Sequence, residues 1–271
     1  MMKIGTWILL ATVALSLSGC GTSNLFSSLS GTSTLDTSAS AQNALDNGDF
    51  AKAKAEAAKL VSSSDADAQK IGHIVSAEAT FGEQGVSVTK IVSSLEAVTK
   101  SGASDLASLQ KVVPSNVNAT AVAGAAYEIL DTGTTDKDKK TTAGIAAGIA
   151  AAVIVTNKFD YNGDGVVDDK DFATSVTNTS TGQTTTVTAA KVTADWIAIN
   201  NPSGSGTLEA SSKGSVSDLI SKALTNAGDT LGGDSKDNLT TVDSSIKDIN
   251  SQIAAGTLTP TTISALLSKK K

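Results

Sequence analysis

The sequence contains no arginine, and all 21 of its basic residues are lysines. Arginine is the residue that proteins prefer for two-pronged contacts with phosphates and base edges. The formal net charge is -6, so the chain as a whole would also repel a nucleic-acid backbone. The lack of arginine and of net positive charge therefore excludes nucleic acid as an expected partner.

Cysteine and histidine are almost absent, with one residue of each, Cys20 and His73. A single cysteine cannot form a disulfide within the chain. Neither a Ser-His-Asp nor a Cys-His arrangement is suggested, and no phosphate loop of Walker type and no His-Glu-x-x-His motif occurs. We therefore expect that the protein is not an enzyme, and we interpret His73 as a structural residue of a helix.

Aromatic residues make up only 3% of the chain, whereas alanine, serine, threonine and glycine are abundant. A core built from small side chains suits helices that pack closely. With 271 residues, the chain is long enough for one or two domains with a hydrophobic core. The patterns described below predict an all-α protein, either a helical bundle or a short helical-repeat array.

The N-terminus has the three parts of an export signal. Lys3 supplies a positive charge, residues 4–17 form an apolar run too short for a comfortable membrane span, and the run ends in Leu-Ser-Gly-Cys at Cys20. This ending resembles the lipobox of bacterial lipoproteins. The resemblance implies that residues 1–19 are a signal peptide and that Cys20 carries fatty acids such as palmitate. The alternative is an ordinary secretory leader with a chance cysteine.

The residues after the lipobox bear on where the protein is held. In enterobacterial lipoproteins an aspartate after the cysteine retains the protein at the inner membrane, whereas this chain has Gly21. The resemblance therefore favours the outer membrane of a bacterial cell envelope, with the domain in the periplasm or at the cell surface. Residues 20–40 are rich in serine, threonine and glycine and predict a lipidated cysteine followed by a flexible tether.

Apolar residues recur at three- and four-residue spacing through residues 41–131, which predicts helices. The stretch GDFAKA at 48–53 resembles the turn between the two helices of a tetratricopeptide repeat. Gly82 follows Gly48 after about one period of that repeat, roughly 34 residues. The second unit lacks the Asp-aromatic pair, so a plain antiparallel helical bundle is the alternative.

Residues 141–155 (TTAGIAAGIAAAVIV) are almost entirely apolar. A transmembrane helix needs about 20 apolar residues, and this run is shorter. Gly144 and Gly148 form a small-x-x-x-small pattern, which also serves helices that approach one another closely outside a membrane. We predict a buried central helix here rather than a membrane span.

The stretch DYNGDGVVDDKD at 160–171 is typical of a calcium-binding loop. Oxygens from alternate positions are expected to converge on one centre, Gly165 permits the sharp turn, and Val167 is expected to point into the core. The predicted cofactor is Ca²⁺, and the predicted ligands are Asp160, Asn162, Asp164, the backbone carbonyl of Val166, Asp168 and Asp171.

This pattern resembles the loops of EF-hands. Because position twelve is Asp171 rather than glutamate, it is most similar to the loops of dockerins and related extracellular bacterial modules. A shorter carboxylate reaches the ion less easily with both oxygens, and extracellular modules bind with a Kd of about 10⁻⁴ to 10⁻³ M. Such loops usually occur in tandem, but the sequence contains no second loop. The alternative is an acidic turn that binds no ion.

The segments around the loop suggest a structural role for the ion. Residues 141–180 would form the buried helix and the loop, and the exit helix over residues 169–175 would be short because a threonine-rich stretch follows. An unpaired loop with a weak exit helix is not expected to open and close like a calmodulin sensor. We expect calcium to act as a staple between two helical halves.

Residues 189–271 predict a C-terminal helical region. Trp196 is interpreted as a core residue, and Ser215 and Asp218 resemble a capping box at the start of a helix. The next helix shows an amphipathic seam, and Pro260 begins a last short helix. The residues of the seam are Leu239, Val242, Ile246, Ile249 and Ile253.

The leading hypothesis for function is a lipid-anchored, calcium-stabilised protein of the cell envelope that acts by binding or scaffolding. Its expected partners are the membrane, through Cys20, and another envelope protein. One alternative is a solute-binding accessory lipoprotein of a periplasmic transporter, for which a concave pocket lined by polar residues would be needed. Another alternative is a dockerin-like module that docks onto a partner through the loop region.

Overall fold

The computed structural model describes residues 32–86, 117–201, 208, 212–231 and 233–267. The predicted signal peptide, Cys20 and the first part of the tether lie outside these ranges. Within them the protein is all-α, as predicted, apart from one two-stranded hairpin. The elements are α1 (Thr32–Asp46), α2 (Phe50–Val61), α3 (Ala66–Glu83), α4 (Ala119–Asp131), α5 (Lys137–Phe159), a 3-10 turn (Asp169–Phe172), β1 (Ser175–Thr177), β2 (Thr184–Thr186), α6 (Ala189–Ile199), α7 (Val216–Leu231), α8 (Gly233–Ala255) and α9 (Pro260–Leu267).

The first helix begins at Thr32, inside the segment that was predicted to be a flexible tether. Ser38 and Ala41 on this helix are fully buried, so the prediction is wrong for residues 32–40. The Ser38 hydroxyl donates a hydrogen bond of 2.8 Å to the carbonyl of Thr34. A serine that bonds to the preceding turn in this way can be buried on a helix face. A segment rich in serine and threonine can therefore form a packed helix, although its composition is typical of a linker.

A tight turn joins α1 to α2. Gly48 has a φ of 73°, which a glycine adopts without strain, and the Asp49 carboxylate accepts a hydrogen bond from the backbone N–H of Lys52 to cap α2. Phe50 packs against Gly82 of α3, where an added Cβ would lie 2.2 Å from the ring. Helices α1 and α2 thus form a hairpin, which the tetratricopeptide resemblance and a plain antiparallel bundle both imply. Its second unit would continue into residues 87–116, outside the described residues.

The central helix α5 is buried along almost its whole length, as predicted for the apolar run at 141–155. Among the described helices it is the one with the length and apolar composition to cross a membrane. However, 72% of its most apolar window is buried inside the protein. Helices α4 and α7 pack against it. At Gly144 the backbone of α7 comes so close that an added Cβ would lie 2.9 Å from the backbone nitrogen of Ala227.

One continuous core extends from α3 to α9. It contains Ile74 and Phe81 from the N-terminal part and Leu219 and Ile263 from the C-terminal part. A smaller cluster of mainly alanine side chains lies between α1, α2 and α3. The two predicted helical halves therefore share a core, with α5 in contact with both.

The C-terminal helices largely follow the predicted patterns. In the seam of α8, Ile246 and Ile249 are buried, and Val242 and Ile253 pack against the core while partly exposed. The side chain of Leu239 lies outside the described residues. The Ser215 hydroxyl accepts a hydrogen bond of 3.1 Å from the N–H of Asp218, which is half of the predicted capping box. The Asp218 carboxylate instead accepts hydrogen bonds from the Tyr127 hydroxyl and the Gly214 N–H.

Candidate metal centre

The acidic loop at 160–171 is anchored at both ends by buried aromatic residues. It leaves the end of α5 directly after Phe159, and the 3-10 turn that forms its last residues ends in Phe172. The ring centroids of Phe159 and Phe172 are 6.1 Å apart, and Phe159 lies at the same distance from Trp196. Phe159 and Trp196 are fully buried. The core therefore fixes where the loop starts and where it returns.

The first carboxylate, that of Asp160, holds the beginning of the loop in a tight winding. It accepts hydrogen bonds from the N–H groups of Gly163 at 2.8 Å, Asp164 at 3.1 Å and Gly165 at 2.8 Å. Gly163 and Gly165 have φ values of 73° and 87°, where other residues would be strained. The turn that the sequence assigned to Gly165 is therefore present, and Gly163 adds a second one.

The next two predicted ligands continue this winding. The Asn162 side-chain oxygen accepts a hydrogen bond from the N–H of Asp164 at 2.8 Å, and the Asp164 carboxylate accepts one from the N–H of Val166 at 3.0 Å. The Asn162 amide also donates to the second oxygen of Asp164 at 3.1 Å. The side chains of Asn162 and Asp164 thus each accept a hydrogen bond from the backbone two residues further on.

Asp171, at position twelve, closes the loop. Its two carboxylate oxygens accept hydrogen bonds of 2.9 Å from the N–H groups of Asn162 and Asp168, which ties the third, ninth and twelfth positions together. Asp171 is fully buried. Burial raises the pKa of Asp171 to about 6, the two N–H donors act against that rise, and the charges of Asp160 and Asp164 add to it. A divalent cation beside this carboxylate would favour its ionised form.

Among the remaining loop positions, Val167 lies in the core as predicted. Val167, at position eight, is 1% exposed and belongs to the main core. Asp168 caps the 3-10 turn through a hydrogen bond of 2.8 Å from the N–H of Lys170. Val166 is half-buried, with its backbone carbonyl at the seventh position.

The loop provides oxygen donors rather than a finished metal cluster. Within the described part of the chain, no three acidic, histidine or cysteine side chains lie close enough together to hold a metal ion as they stand. The loop carboxylates are directed at backbone N–H groups instead. An ionised carboxylate has about four lone-pair sites, and each one in the loop uses at most three, so all keep capacity for an ion. An all-oxygen set with a central glycine fits the chemistry of Ca²⁺.

A β-hairpin that the sequence did not predict covers one side of the loop. β1 and β2 pair antiparallel, with Val176 opposite Thr185, in the threonine-rich stretch that was expected only to end the exit helix. The exit helix itself is reduced to the 3-10 turn at Asp169–Phe172. The N–H of Thr179, in the turn of the hairpin, donates a hydrogen bond of 2.7 Å to the carbonyl of Asn162.

A second feature that the sequence did not predict is a charged cluster centred on Asp195 of α6. Its carboxylate accepts hydrogen bonds from the Tyr161 hydroxyl at 2.6 Å and from Lys191 at 2.8 Å, and Lys158 lies 3.2 Å away. Burial by itself raises the pKa of Asp195, but the hydrogen bonds from Lys191, Tyr161 and Lys158 outweigh burial and leave the pKa below its usual value. The cluster links α5, the loop and α6.

Asp195→Asn should lower the free energy of unfolding at neutral pH by about 1 kcal/mol, because the two lysines lose their shared carboxylate. The stabilisation from a carboxylate whose pKa is lowered by folding exists above its unfolded value of about 4 and is lost as the pH falls below it. The difference between wild type and Asp195→Asn should therefore shrink towards pH 3 in urea titrations. Asp131→Asn, which breaks the exposed pair with Lys213, is the control and should have little effect at either pH. A difference for Asp195→Asn that stays constant with pH would contradict this account.

The C-terminal helix also contacts the loop region. The hydroxyl of Ser264 in α9 donates a hydrogen bond of 2.5 Å to the carboxylate of Asp169, which begins the 3-10 turn. Ile263 beside it is fully buried in the main core. The loop region is thus in contact with α5, the hairpin, α6 and α9.

A cleft of about 420 Å³ lies between α7 and α8 and is the feature that bears on the solute-binding alternative. Most of its polar side chains are bonded within the protein. Asp243 pairs with Lys247 at 2.6 Å, and Asn250 accepts a hydrogen bond from the Trp196 indole at 2.7 Å. The cleft therefore does not indicate a class of solute.

The structure brings the six predicted ligands into one wound loop, and the hairpin and Asp195 are the parts that sequence reasoning missed. The run of β-branched residues TTTVT at 184–188 is a weak strand signal that could have indicated the hairpin. No sequence signal marks Asp195 as the partner of Tyr161, 34 residues earlier.

Comparison with protein families, with curated proteins and with solved structures finds no match to this chain.

Proposed function

We propose that this protein is a lipid-anchored protein of the bacterial cell envelope, that it binds one calcium ion through residues 160–171, and that it acts as a binding or scaffold protein. The observation that carries the calcium assignment is the wound loop itself. Asp160 and Asp171 organise its backbone from the two ends, and they do so with carboxylates that keep lone pairs for an ion.

Calcium would act as a staple in this protein. The four aspartates among the predicted ligands lie within 12 residues and repel one another, and one of them, Asp171, is buried. An ion that neutralises them would stabilise the junction at which α5, the hairpin, α6 and α9 meet. The affinity expected for such a loop, a Kd of about 10⁻⁴ to 10⁻³ M, suits an environment where calcium is plentiful.

The proposed location at the membrane rests on the sequence of the predicted signal peptide. The lipobox ending at Cys20 supports attachment of acyl chains, and each buried methylene of such a chain contributes about 0.8 kcal/mol to membrane binding. The helical domain would then be held at the membrane, where its surface is available to another envelope protein. The absence of arginine and the net charge of -6 argue against nucleic acid as that partner.

The lipid anchor is tested by processing and acylation in the bacterial host. Cells fed an alkyne analogue of palmitate should label the wild-type protein, and globomycin should make its precursor accumulate. Cys20→Ala should abolish the label and leave the protein unprocessed, because the thiol is the acceptor.

Gly21→Ala keeps the cysteine and should be labelled and processed like the wild type, which makes it the matched control. Label on the Cys20→Ala protein, or normal processing in the presence of globomycin, would refute the lipid anchor. The calcium assignment would be unaffected by that result, because it rests on a different part of the chain.

A further inference from the structure

The hairpin contacts the calcium loop at the backbone carbonyl of Asn162, which accepts its hydrogen bonds from the hairpin. The loop carboxylates accept hydrogen bonds from backbone N–H groups, but the carbonyl of Asn162 has its partner in the hairpin. It accepts hydrogen bonds from the N–H of Thr179 at 2.7 Å and from the Thr179 hydroxyl at 3.1 Å. The N–H of Asn162 donates to Asp171, and its side chain is bonded to Asp164. Asn162, the predicted ligand at loop position three, is therefore held by hydrogen bonds at its N–H, its carbonyl and its side chain.

The turn of the hairpin is rigid enough to hold this position. The N–H of Asn178 donates to the carbonyl of Gln183, and the N–H of Gly182 donates to the carbonyl of Asn178, both at 2.8 Å. The Asn178 side-chain oxygen accepts hydrogen bonds from the N–H groups of Ser180 at 3.0 Å and Thr181 at 2.9 Å. These bonds fix the orientation of the Thr179 N–H.

The hairpin is in turn fixed to the core of the protein. Val176 and Val187 are 4% and 3% exposed and belong to the main core. The N–H of Val187 donates a hydrogen bond of 3.0 Å to the carbonyl of Thr174 at the open end of the hairpin. The tip also fits closely against the loop, because a Cβ added at Gly163 would lie 2.5 Å from the Asn178 side chain.

We propose that the hairpin takes the structural place of the second loop that similar calcium loops have, with Thr179 as a positioning residue for calcium. This inference rests on the proposed calcium site. A site that is correctly arranged in only a fraction of molecules binds its ion more weakly by that fraction. By holding Asn162 in place, Thr179 raises the fraction of molecules in which the loop is ready to bind.

The test is the calcium affinity of the detergent-solubilised full-length protein, measured by calorimetry. Thr179→Val keeps the shape and the backbone N–H but removes the hydroxyl bond to Asn162, and it should weaken calcium binding about two- to fivefold. The matched control is Thr186→Val, an exposed threonine on β2 of the same hairpin, which should bind like the wild type. Because Thr179 acts on the loop and not on the core, the calcium-free melting temperature of Thr179→Val should stay close to that of the wild type.

A second variant removes the whole contact. Replacing residues 179–182 with Asn-Gly retains the pair of Asn178 and Gln183 and closes the strands with a two-residue turn, which favours Asn-Gly. It should weaken calcium binding about tenfold or more, because both hydrogen bonds to Asn162 are lost.

The outcomes separate this inference from the proposed function. If titration of the wild-type protein with calcium gives no binding signal, the proposal of a calcium site is wrong, and the proposed role of the hairpin fails with it. If the wild type binds calcium and both hairpin variants bind equally well, the site stands and the positioning role of Thr179 is refuted. A loss of calcium affinity in Thr186→Val as large as the loss in Thr179→Val would also refute the specific role of Thr179.

Discussion

Calcium at about 10 mM should raise the melting temperature of the full-length protein by about 3–10 °C, and Asp160→Ala should abolish that rise. With a Kd of about 10⁻⁴ to 10⁻³ M, this concentration adds about 1.4–2.7 kcal/mol to the free energy of unfolding. Asp160 is the residue to change because it provides the first ligand and also binds three N–H groups of the loop. Thermal melts with calcium and with a chelator provide the measurement.

The comparison within each variant is what makes this experiment decisive. Asp160→Ala will destabilise the calcium-free protein as well, because Gly163, Asp164 and Gly165 lose their acceptor. The quantity of interest is therefore the difference between the melts with and without calcium. Asp131→Ala, which removes an exposed carboxylate far along the chain from the loop, should keep the full calcium effect. Equal calcium effects in wild type and Asp160→Ala would mean that the loop is an acidic turn.

The loop could be predicted from the sequence because its geometry is mostly local. Every hydrogen bond that the side chains of Asp160, Asn162 and Asp164 make within the loop spans no more than five residues. Residue types at fixed spacing are sufficient to specify such a winding. Even the closing contact of Asp171 spans only nine residues.

The surroundings of the loop could not be predicted in this way, because they depend on the tertiary fold. Asp195 has its partners on α5, the loop and its own helix, and each of them is an unremarkable residue in its own segment. The hairpin is short, and a stretch rich in threonine is as typical of a loop as of a strand. It forms here because Val176 and Val187 reach the core while Asn178 closes the turn.

Dependence on tertiary packing also explains why the tether prediction is wrong for residues 32–40. The composition of residues 20–40 favours a tether, but helix α1 starts at Thr32 because α2 and α3 supply a surface against which Ser38 and Ala41 are buried. Small residues are compatible with a linker and with closely packed helices, so composition does not distinguish the two. The apolar run of α5 was easier to interpret, since its length and lack of charge demand burial.

Gly144→Leu should destabilise the protein by about 3 kcal/mol, because the contact between α5 and α7 leaves no space for a side chain. A Cβ at Gly144 would lie 2.9 Å from the backbone nitrogen of Ala227 and 3.1 Å from the Cβ of Asn226. Backbone cannot rotate away as a side chain can, so the two helices must separate. That separation would loosen the packing of Leu219 and Ile220, which are buried on α7. Urea unfolding followed by far-ultraviolet circular dichroism gives the free energy.

Gly148→Ala is the control, one turn further along the same helix. Its added Cβ would lie 3.4 Å from the Cβ of Ala223, which is an ordinary contact, and alanine is about 1 kcal/mol better than glycine in a helix. This variant should therefore be as stable as the wild type or slightly more stable. A Gly144→Leu protein with wild-type stability would mean that α5 and α7 do not approach as closely as described. The calcium effect should survive in Gly148→Ala, because its loop is unchanged, and this separates helix packing from the metal site.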